Sequence, residues 1–300
     1  MALLSSYQPP GFTQRRIPSA LGEMAYYTNA GFETPADVSE QPTLIFLHSL
    51  GGGSSAYEWS KVYPAFADHY RVIAPDLVGW GSSAHPEWDY QIEDYLVMLQ
   101  DLLRETQATH AIAIASSLTG GLVLKLASEK PDLFKGLFLV APSGYSDFDQ
   151  DYRKTFSAQL AGTPLLDKVL YQVGAANELA IYNFMQQFLF ANRDRITREM
   201  VLAYLASAQQ PNAEFAALAS LKGNICFDLG PVAANLEVPT TLLWGEKAQF
   251  TRFAVGEKLV QQNPYAIKSL EQVPDSGVLP HLELPAVVIN LLWRYLNQIC

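Results

Sequence analysis

Residues 113–121 read Ala-Ile-Ala-Ser-Ser-Leu-Thr-Gly-Gly, and they join two different hydrophobic patterns. Before them, an apolar run begins after His110 and has the composition of a buried strand. After them, leucines at 122, 124 and 126 and an alanine at 127 follow the pattern of a packed helix. The sequence therefore predicts a strand, a sharp turn and a helix, a geometry in which a strained turn presents one hydroxyl group above a sheet.

Two adjacent serines compete for the exposed position of this turn. The turn requires small residues two positions before and two positions after that serine. Ser117 places Ala115 and Thr119 at these flanking positions, whereas Ser116 would place an isoleucine and a leucine there. We therefore expect Ser117 to carry the exposed hydroxyl group.

Length, composition and charge restrict the classes of protein and partner. The chain has 300 residues, of which 49% are hydrophobic, so it can bury the core of one large α/β domain with an insertion. Its formal charge of −10 disfavours nucleic acid and anionic membranes as partners. We expect a small molecule as the partner, whereas the sequence leaves the oligomeric state open.

The sequence gives no sign of a cofactor, a metal site or a membrane span. Its two cysteines, Cys226 and Cys300, have no metal-ligand spacing around them and do not form a disulfide framework. The first ten residues lack the basic and apolar regions of a signal peptide, and no run of 18 uncharged apolar residues occurs. These features predict a soluble cytoplasmic protein.

Short apolar runs alternate with amphipathic runs along most of the chain. This alternation is typical of a mostly parallel sheet that is covered by helices on both faces. We also expect an antiparallel hairpin at the sheet edge, a helix after Tyr90, and a last helix that starts near Leu282 with Pro285 in its first turn. The predicted strands of the parallel part are 43–47, 71–74, 111–115, 137–141, 240–244 and 267–272.

The alternation stops at about residue 146 and resumes after 236. Only helical periodicity occurs in this interval, and its aromatic residues indicate an apolar underside. The sequence therefore predicts a core of residues 1–145 and 237–300, with residues 146–236 forming a helical cap over the strand ends.

Together with the serine turn, two further motifs resemble those of the α/β-hydrolase superfamily. Residues 48–52, His-Ser-Leu-Gly-Gly, are similar to its His-Gly-x-Gly-Gly oxyanion loop, with Ser49 in place of a glycine. Residues 76–83, Asp-Leu-Val-Gly-Trp-Gly-Ser-Ser, are similar to its Asp-x-x-Gly-x-Gly-x-Ser loop. The resemblance is to the capped branch, which holds esterases, haloalkane dehalogenases and epoxide hydrolases. It implies an α/β-hydrolase fold with Ser117 as nucleophile and the backbone of Leu50 and Leu118 as the oxyanion hole.

The same resemblance implies that the catalytic partners of Ser117 are replaced. A serine hydroxyl needs an imidazole to accept its proton and a carboxylate to orient that imidazole. The superfamily's Trp-Gly-x-x-Asp string reads Trp-Gly-Glu-Lys-Ala here and puts Ala248 at the acid position. Its Gly-His-x-x-His-x-Glu-x-Pro string reads Gly-Val-Leu-Pro-His-Leu-Glu-Leu-Pro and puts Val278 at the base position. Neither alanine nor valine can transfer a proton.

Other side chains could substitute for these groups. His281 is a candidate base, and Glu246 is a candidate acid two residues from the usual position. Asp147 and Asp149 follow the strand after which some family members carry their acid, although solvated charges or helix caps are the simpler interpretation.

His48 ends a predicted buried strand next to the oxyanion loop. A histidine in this position more often bonds to the backbone of its own loop than does chemistry, and it could also line the pocket.

The leading hypothesis is therefore an α/β-hydrolase-fold protein that binds a small apolar molecule with a carbonyl group beneath its cap, without triad hydrolysis. The alternative is an active esterase, lipase or thioesterase in which Ser117 uses a displaced relay such as His281 and Glu246. A third possibility is a scaffold that binds a protein partner on its cap. Whether the chain is an enzyme stays open at this point.

Overall fold

The computed structural model describes residues 7–29, 42–149, 171 and 177–299. Within them, an eight-stranded sheet has the order β1-β2-β4-β3-β5-β6-β7-β8. β1 pairs antiparallel with β2, and β2 pairs antiparallel with β4, whereas all later pairs are parallel. The strands are β1 (Phe12–Ser19), β2 (Gly22–Asn29), β3 (Thr43–Leu47), β4 (Arg71–Pro75), β5 (Ala111–Ser116), β6 (Phe134–Val140), β7 (Thr240–Gly245) and β8 (Ile267–Val273).

The sequence predictions of a mostly parallel sheet and an edge hairpin are confirmed. The largest difference in a strand is in β6, which begins at Phe134 rather than at residue 137. The helices are α1 (Ile92–Glu105), α2 (Ser117–Glu129), α3 (Glu178–Phe184), α4 (Arg198–Ala208), α5 (Ala213–Lys222), α6 (Leu229–Ala234), α7 (Phe253–Gln262), α8 (Pro280–Glu283) and α9 (Pro285–Ile299).

Helices cover both faces of the sheet. Along β5, Ile112 and Ile114 face a cluster that includes Leu292 of α9, whereas Ala113 and Ala115 face the cluster that contains α1 and α2. This alternation follows from the two-residue period of a strand, and burial on both faces explains why β5 is apolar throughout.

The chain enters the last helix differently from the prediction of a single helix near Leu282. The structure has a short helix, α8, and then a break at Leu284, where the backbone has φ −134° and ψ 60°. Pro285 explains the break, because its ring disfavours helical backbone at the preceding residue and it has no N–H group to donate. A proline is well tolerated as the first residue of α9 for the same reason.

The described part of the predicted cap is helical. It contains α3 to α6 and a single π-helical turn, Met185–Leu189. Residues 150–170 and 172–176, which the prediction also assigned to the cap, lie outside the described residues. The division into core and cap stays a prediction.

Hydrogen bonds of the loop after β4 support the segment that follows β3. The buried carboxylate of Asp76 accepts hydrogen bonds from the backbone N–H groups of Ala56 at 2.7 Å and Ser82 at 2.8 Å. Gly81 has φ +54°, and a Cβ there would lie 2.2 Å from the Asp76 carboxyl carbon. Only glycine fits this position, which explains the second glycine of the motif.

In the described ranges, no helix is both long enough and apolar enough to cross a membrane.

Candidate functional site

Ser117 stands at the turn between β5 and α2. Its φ is +53°, whereas Ser116 before it is extended with φ −123°. A non-glycine residue with positive φ is strained and persists only where the surrounding structure enforces it. The main chain is held from the side of β6, because the Ser143 N–H donates to the Ser117 carbonyl oxygen at 3.2 Å. A Cβ on Gly121 would lie 2.5 Å from the Ser143 carbonyl oxygen, so this approach requires glycine.

The strand pairing predicts that the oxyanion groups lie beside Ser117, because β3 and β5 are parallel neighbours, with Leu47 paired to Ala115. The loop with Leu50 and the turn with Leu118 therefore leave the sheet at the same edge. Leu118 is the second residue of α2, where a backbone N–H has no partner inside the helix. Two main-chain donors near Ser117 thus stay a prediction, and it does not depend on the side chains.

His48 supports this loop through both nitrogens of its ring. It is fully buried, its Nδ1 donates to the Ser49 carbonyl oxygen at 2.6 Å, and its Nε2 accepts from the Leu77 N–H at 3.0 Å. Burial lowers the pKa of His48 to about 4, so the ring is neutral at physiological pH. Both ring nitrogens are used in linking the loops after β3 and β4.

A buried carboxylate that the sequence analysis did not identify, Glu58, fixes Ser49. The Ser49 N–H and hydroxyl donate to the two Glu58 oxygens at 2.8 Å each, and the Tyr204 hydroxyl of α4 donates to Glu58 at 2.9 Å. Burial raises the pKa of Glu58, whereas these hydrogen bonds act in the opposite direction. Ser49 thus stands where the family motif has a glycine, and its side chain adds a hydrogen bond that holds the loop. The only signal in the sequence is an acidic residue inside the aromatic run Ala-Tyr-Glu-Trp.

Tyr145 lies on the other side of Ser117 and was also missed. Its hydroxyl group is hydrogen-bonded to the Ser117 side chain, and burial raises its pKa. The phenol is therefore protonated at neutral pH. Ser117 thus has a phenol as its partner, and a protonated phenol cannot accept the serine proton.

The positions that the resemblance assigns to the acid and the base are both at least partly buried. Ala248 is partly buried after β7. Val278 is buried, and its N–H donates to the carbonyl oxygen of Leu189 in the π-helical turn at 2.8 Å. The nearby Glu283 accepts a hydrogen bond from the Gly277 N–H at 2.7 Å, so this loop is tied on both sides.

The candidate substitutes His281 and Glu246 have contacts with residues other than Ser117. His281 is fully buried and stacks on Trp59 with a centroid distance of 3.9 Å and an interplanar angle of 14°. Neither of its ring nitrogens has a hydrogen-bond partner in the described part of the chain, and burial lowers its pKa to about 3. Glu246 is exposed and accepts from the Asp275 N–H at 2.9 Å.

Asp147, which follows β6, is bonded to neighbouring groups of the chain. Asp147 accepts hydrogen bonds from the Ser143 hydroxyl at 2.7 Å and from the N–H groups of Gly144 and Leu229, and burial raises its pKa. The side chain of Asp149 lies outside the described part. Among the described residues, no group of three histidine, cysteine or acidic side chains could hold a metal ion.

Known proteins share both the sequence pattern and the fold. The chain is 33% identical over 103 residues to an uncharacterized protein of Mycobacterium bovis, covering 34% of this chain and 30% of that protein. It is 32% identical over 123 residues to a haloalkane dehalogenase of Bradyrhizobium diazoefficiens, covering 41% of this chain and 37% of the relative. These matches span only about a third of each relative's length.

The structure is similar to that of a serine hydrolase involved in carbazole degradation, with a TM-score of 0.74 and 18% identity. That likeness covers 96% of this chain and 99% of the other and is a likeness of fold. A family model described as alpha/beta hydrolase fold matches residues 42–285, which is most of the chain. The chain therefore belongs to the α/β hydrolase fold family.

Proposed function

We propose that this α/β hydrolase-fold protein binds a small apolar molecule by its carbonyl group, in a site at Ser117 beneath the cap. In this proposal it does so without the serine–histidine relay of a hydrolase. The N–H groups of Leu50 and Leu118 hold the carbonyl oxygen. Main-chain donors remain even where Ala248 and Val278, which cannot ionise, stand in place of the catalytic acid and base.

The observation that carries the proposal is the identity of the group bonded to Ser117. That group is the phenol of Tyr145, whose raised pKa keeps it protonated. A proton relay needs an imidazole in this place, and both ring nitrogens of His48 are occupied by backbone groups. Loss of the base from a serine triad lowers the rate by about a factor of 10⁶, and binding by main-chain donors is what remains.

The displaced relay of His281 and Glu246 has less support. The His281 ring is stacked on Trp59, and Glu246 is bonded to the backbone of the β8 loop. A base must come within hydrogen-bond distance of the hydroxyl group that it activates. Among the described residues, the His281 ring has no hydrogen-bond partner, and Glu246 is bonded to the Asp275 N–H.

The test combines binding with turnover. Benzyl propyl ketone cannot be hydrolysed, and pentylbenzene is its counterpart without a carbonyl group. We expect the wild-type protein to bind the ketone about 2- to 10-fold more tightly than the hydrocarbon, since one hydrogen bond separates them. We also expect p-nitrophenyl butyrate to be hydrolysed no faster by the wild-type protein than by Ser117→Ala. Equal binding of the two probes, or ester turnover that depends on Ser117, contradicts the proposal.

A further inference from the structure

A cavity that does not include Ser117 lies between the loop after β6, the start of α6 and the second half of α7. It has a volume of about 500 Å³ and is open to solvent. Among the described residues that line it, none is a residue placed at the Ser117 site. Its volume is in the range of cavities that bind small molecules. The side chains that line it therefore indicate which kind of molecule it can bind.

Phe148 forms an aromatic wall of this cavity, and its backbone is fixed. Its φ of +53° and ψ of 57° are left-handed values, which are unfavourable for a bulky side chain. The Asp228 carboxylate accepts the Phe148 N–H at 2.9 Å, and the ring packs against the hydrophobic core. Strained residues that are fixed by their surroundings cluster at ligand sites. Phe148 thus offers an aromatic surface against which an apolar part of a ligand can pack.

Lys258 supplies a positive charge next to this ring. Its Nζ atom lies 5.0 Å from the centroid of the Phe148 ring, which is within the range of a cation–π contact. An aromatic ring does not neutralise an ammonium group, and Lys258 forms no ion pair with a carboxylate of the described residues. Its charge therefore stays available for an acidic group of a ligand.

Asp228 supplies a negative charge to the same cavity. Its Oδ1 atom accepts hydrogen bonds from the N–H groups of Phe148 and Gly230, each at 2.9 Å. Its Oδ2 atom accepts from no group in the part of the chain that the structure describes, so it keeps its lone pairs. Because Asp228 and Lys258 do not form an ion pair with each other, the cavity contains two separate charges of opposite sign.

These two charges favour a ligand that carries both signs. An anion that pairs with Lys258 also meets the like charge of Asp228, and a cation that pairs with Asp228 meets the like charge of Lys258. An α-amino acid has a carboxylate and an ammonium group, so it can pair with both side chains. The amide groups of Gln261 and Gln262 line the same cavity and supply further donors and acceptors for its polar atoms.

We propose that this cavity binds a free α-amino acid with an aromatic side chain. Lys258 pairs with the carboxylate of the ligand, Oδ2 of Asp228 accepts from its ammonium group, and its aromatic ring packs against Phe148. This site is separate from the one at Ser117, and the inference does not depend on the proposed function.

The experiment compares L-phenylalanine with hydrocinnamate, which lacks the ammonium group, and with phenethylamine, which lacks the carboxylate. Binding to the full chain labelled with nitrogen-15 is followed by NMR titration of the backbone amides at neutral pH. We expect L-phenylalanine to bind about 3- to 10-fold more tightly than either compound, since each of them loses one contact between charged groups at an open site. The amides of Phe148 and Gly230, which both donate to Asp228, should shift on binding.

Two variants assign the contacts. Lys258→Met keeps an unbranched apolar chain beside Phe148 and removes the charge, so its affinity for L-phenylalanine should fall to that for phenethylamine. Asp228→Asn should lower the affinity for L-phenylalanine to that for hydrocinnamate. The matched control is Lys268→Met, the same change at an exposed lysine of β8, which should keep the wild-type affinities.

Three results overturn the inference. L-Phenylalanine binds no more tightly than hydrocinnamate or phenethylamine, its preference persists in Lys258→Met, or the amide of Leu118 shifts in place of those of Phe148 and Gly230. If Asp228→Asn does not fold, Lys258→Met decides alone. Lys258 is exposed and has no hydrogen bond to a described residue, so its replacement leaves the fold intact.

Discussion

Glu283 connects α8 to the chain after the π-helical turn, and its replacement by glutamine should destabilise the protein. Its side chain has no exposed surface. Its carboxylate accepts from the N–H groups of Gly277 at 2.7 Å, Ala191 at 3.1 Å and Asn192 at 2.9 Å, and from the Arg195 guanidinium at 3.0 Å. All of these groups are donors, and two of them come from the chain just after the π-helical turn.

Glutamine keeps the shape of Glu283 but turns one acceptor into a donor. Whichever way the amide is oriented, its NH₂ group faces a buried N–H group, and the Arg195 guanidinium keeps only Asp275 as a counter-ion. A charge-assisted hydrogen bond contributes about 1.5–3 kcal/mol, and a buried donor that is left unpaired costs about 1–3 kcal/mol. We therefore expect the free energy of unfolding to fall by about 1.5–3 kcal/mol.

The assay is urea unfolding followed by tryptophan fluorescence, with the denaturant slope compared between variants. The matched control is Glu246→Gln, the same chemical change at an exposed carboxylate that accepts one hydrogen bond. The control should change the free energy of unfolding by less than about 0.5 kcal/mol. A loss below about 1 kcal/mol in Glu283→Gln, with an unchanged slope, refutes the argument that Glu283 ties α8 to the chain after the π-helical turn.

Three further predictions concern the site. Ala248→Asp combined with Val278→His should raise p-nitrophenyl butyrate turnover, whereas each change alone should do little because a relay works as a unit. A single variant with the same turnover as the double variant contradicts this prediction. Ser117→Gly should be about 1 kcal/mol more stable than Ser117→Ala in thermal unfolding, because glycine relieves the positive φ, and the opposite order excludes strain at this residue. His281 has a pKa near 3 when folded and an ordinary value when unfolded, so only the unfolded chain takes up a proton as the pH falls from 7 to 5. The fall in the free energy of unfolding between pH 7 and pH 5, measured by urea unfolding, should be about 2 kcal/mol smaller in His281→Phe than in the wild type. Equal falls in the two proteins contradict the low pKa of His281.

The sequence predicted those features that depend on neighbouring residues. The sheet follows from short apolar runs, and the edge hairpin follows from alternation within two adjacent segments. Ser117 was preferred to Ser116 on the size of residues two positions away, and the structure gives Ser117 the positive φ of such a turn. Each of these arguments uses only a few consecutive residues.

The side chains that complete the site depend on contacts between distant segments. Glu58 is bonded to Tyr204, which lies on α4 of the cap, and Tyr145 reaches Ser117 from the next strand of the sheet. Glu283 is bonded to cap residues about 90 positions earlier in the chain. A single sequence contains no signal for such pairs, because polar residues at these positions are equally compatible with a solvated loop. The environment of His281 was likewise unpredictable, since its stacking on Trp59 requires the full fold.

The most direct test of the account is the rate at which a fluorophosphonate forms a covalent bond with Ser117, measured by intact mass with Ser117→Ala as the blank. We expect labelling of the wild-type protein to be as slow as for an unactivated serine, because the group bonded to Ser117 is a protonated phenol. Rapid, stoichiometric labelling that is absent in Ser117→Ala would show that a base activates this hydroxyl group, and it would contradict the account.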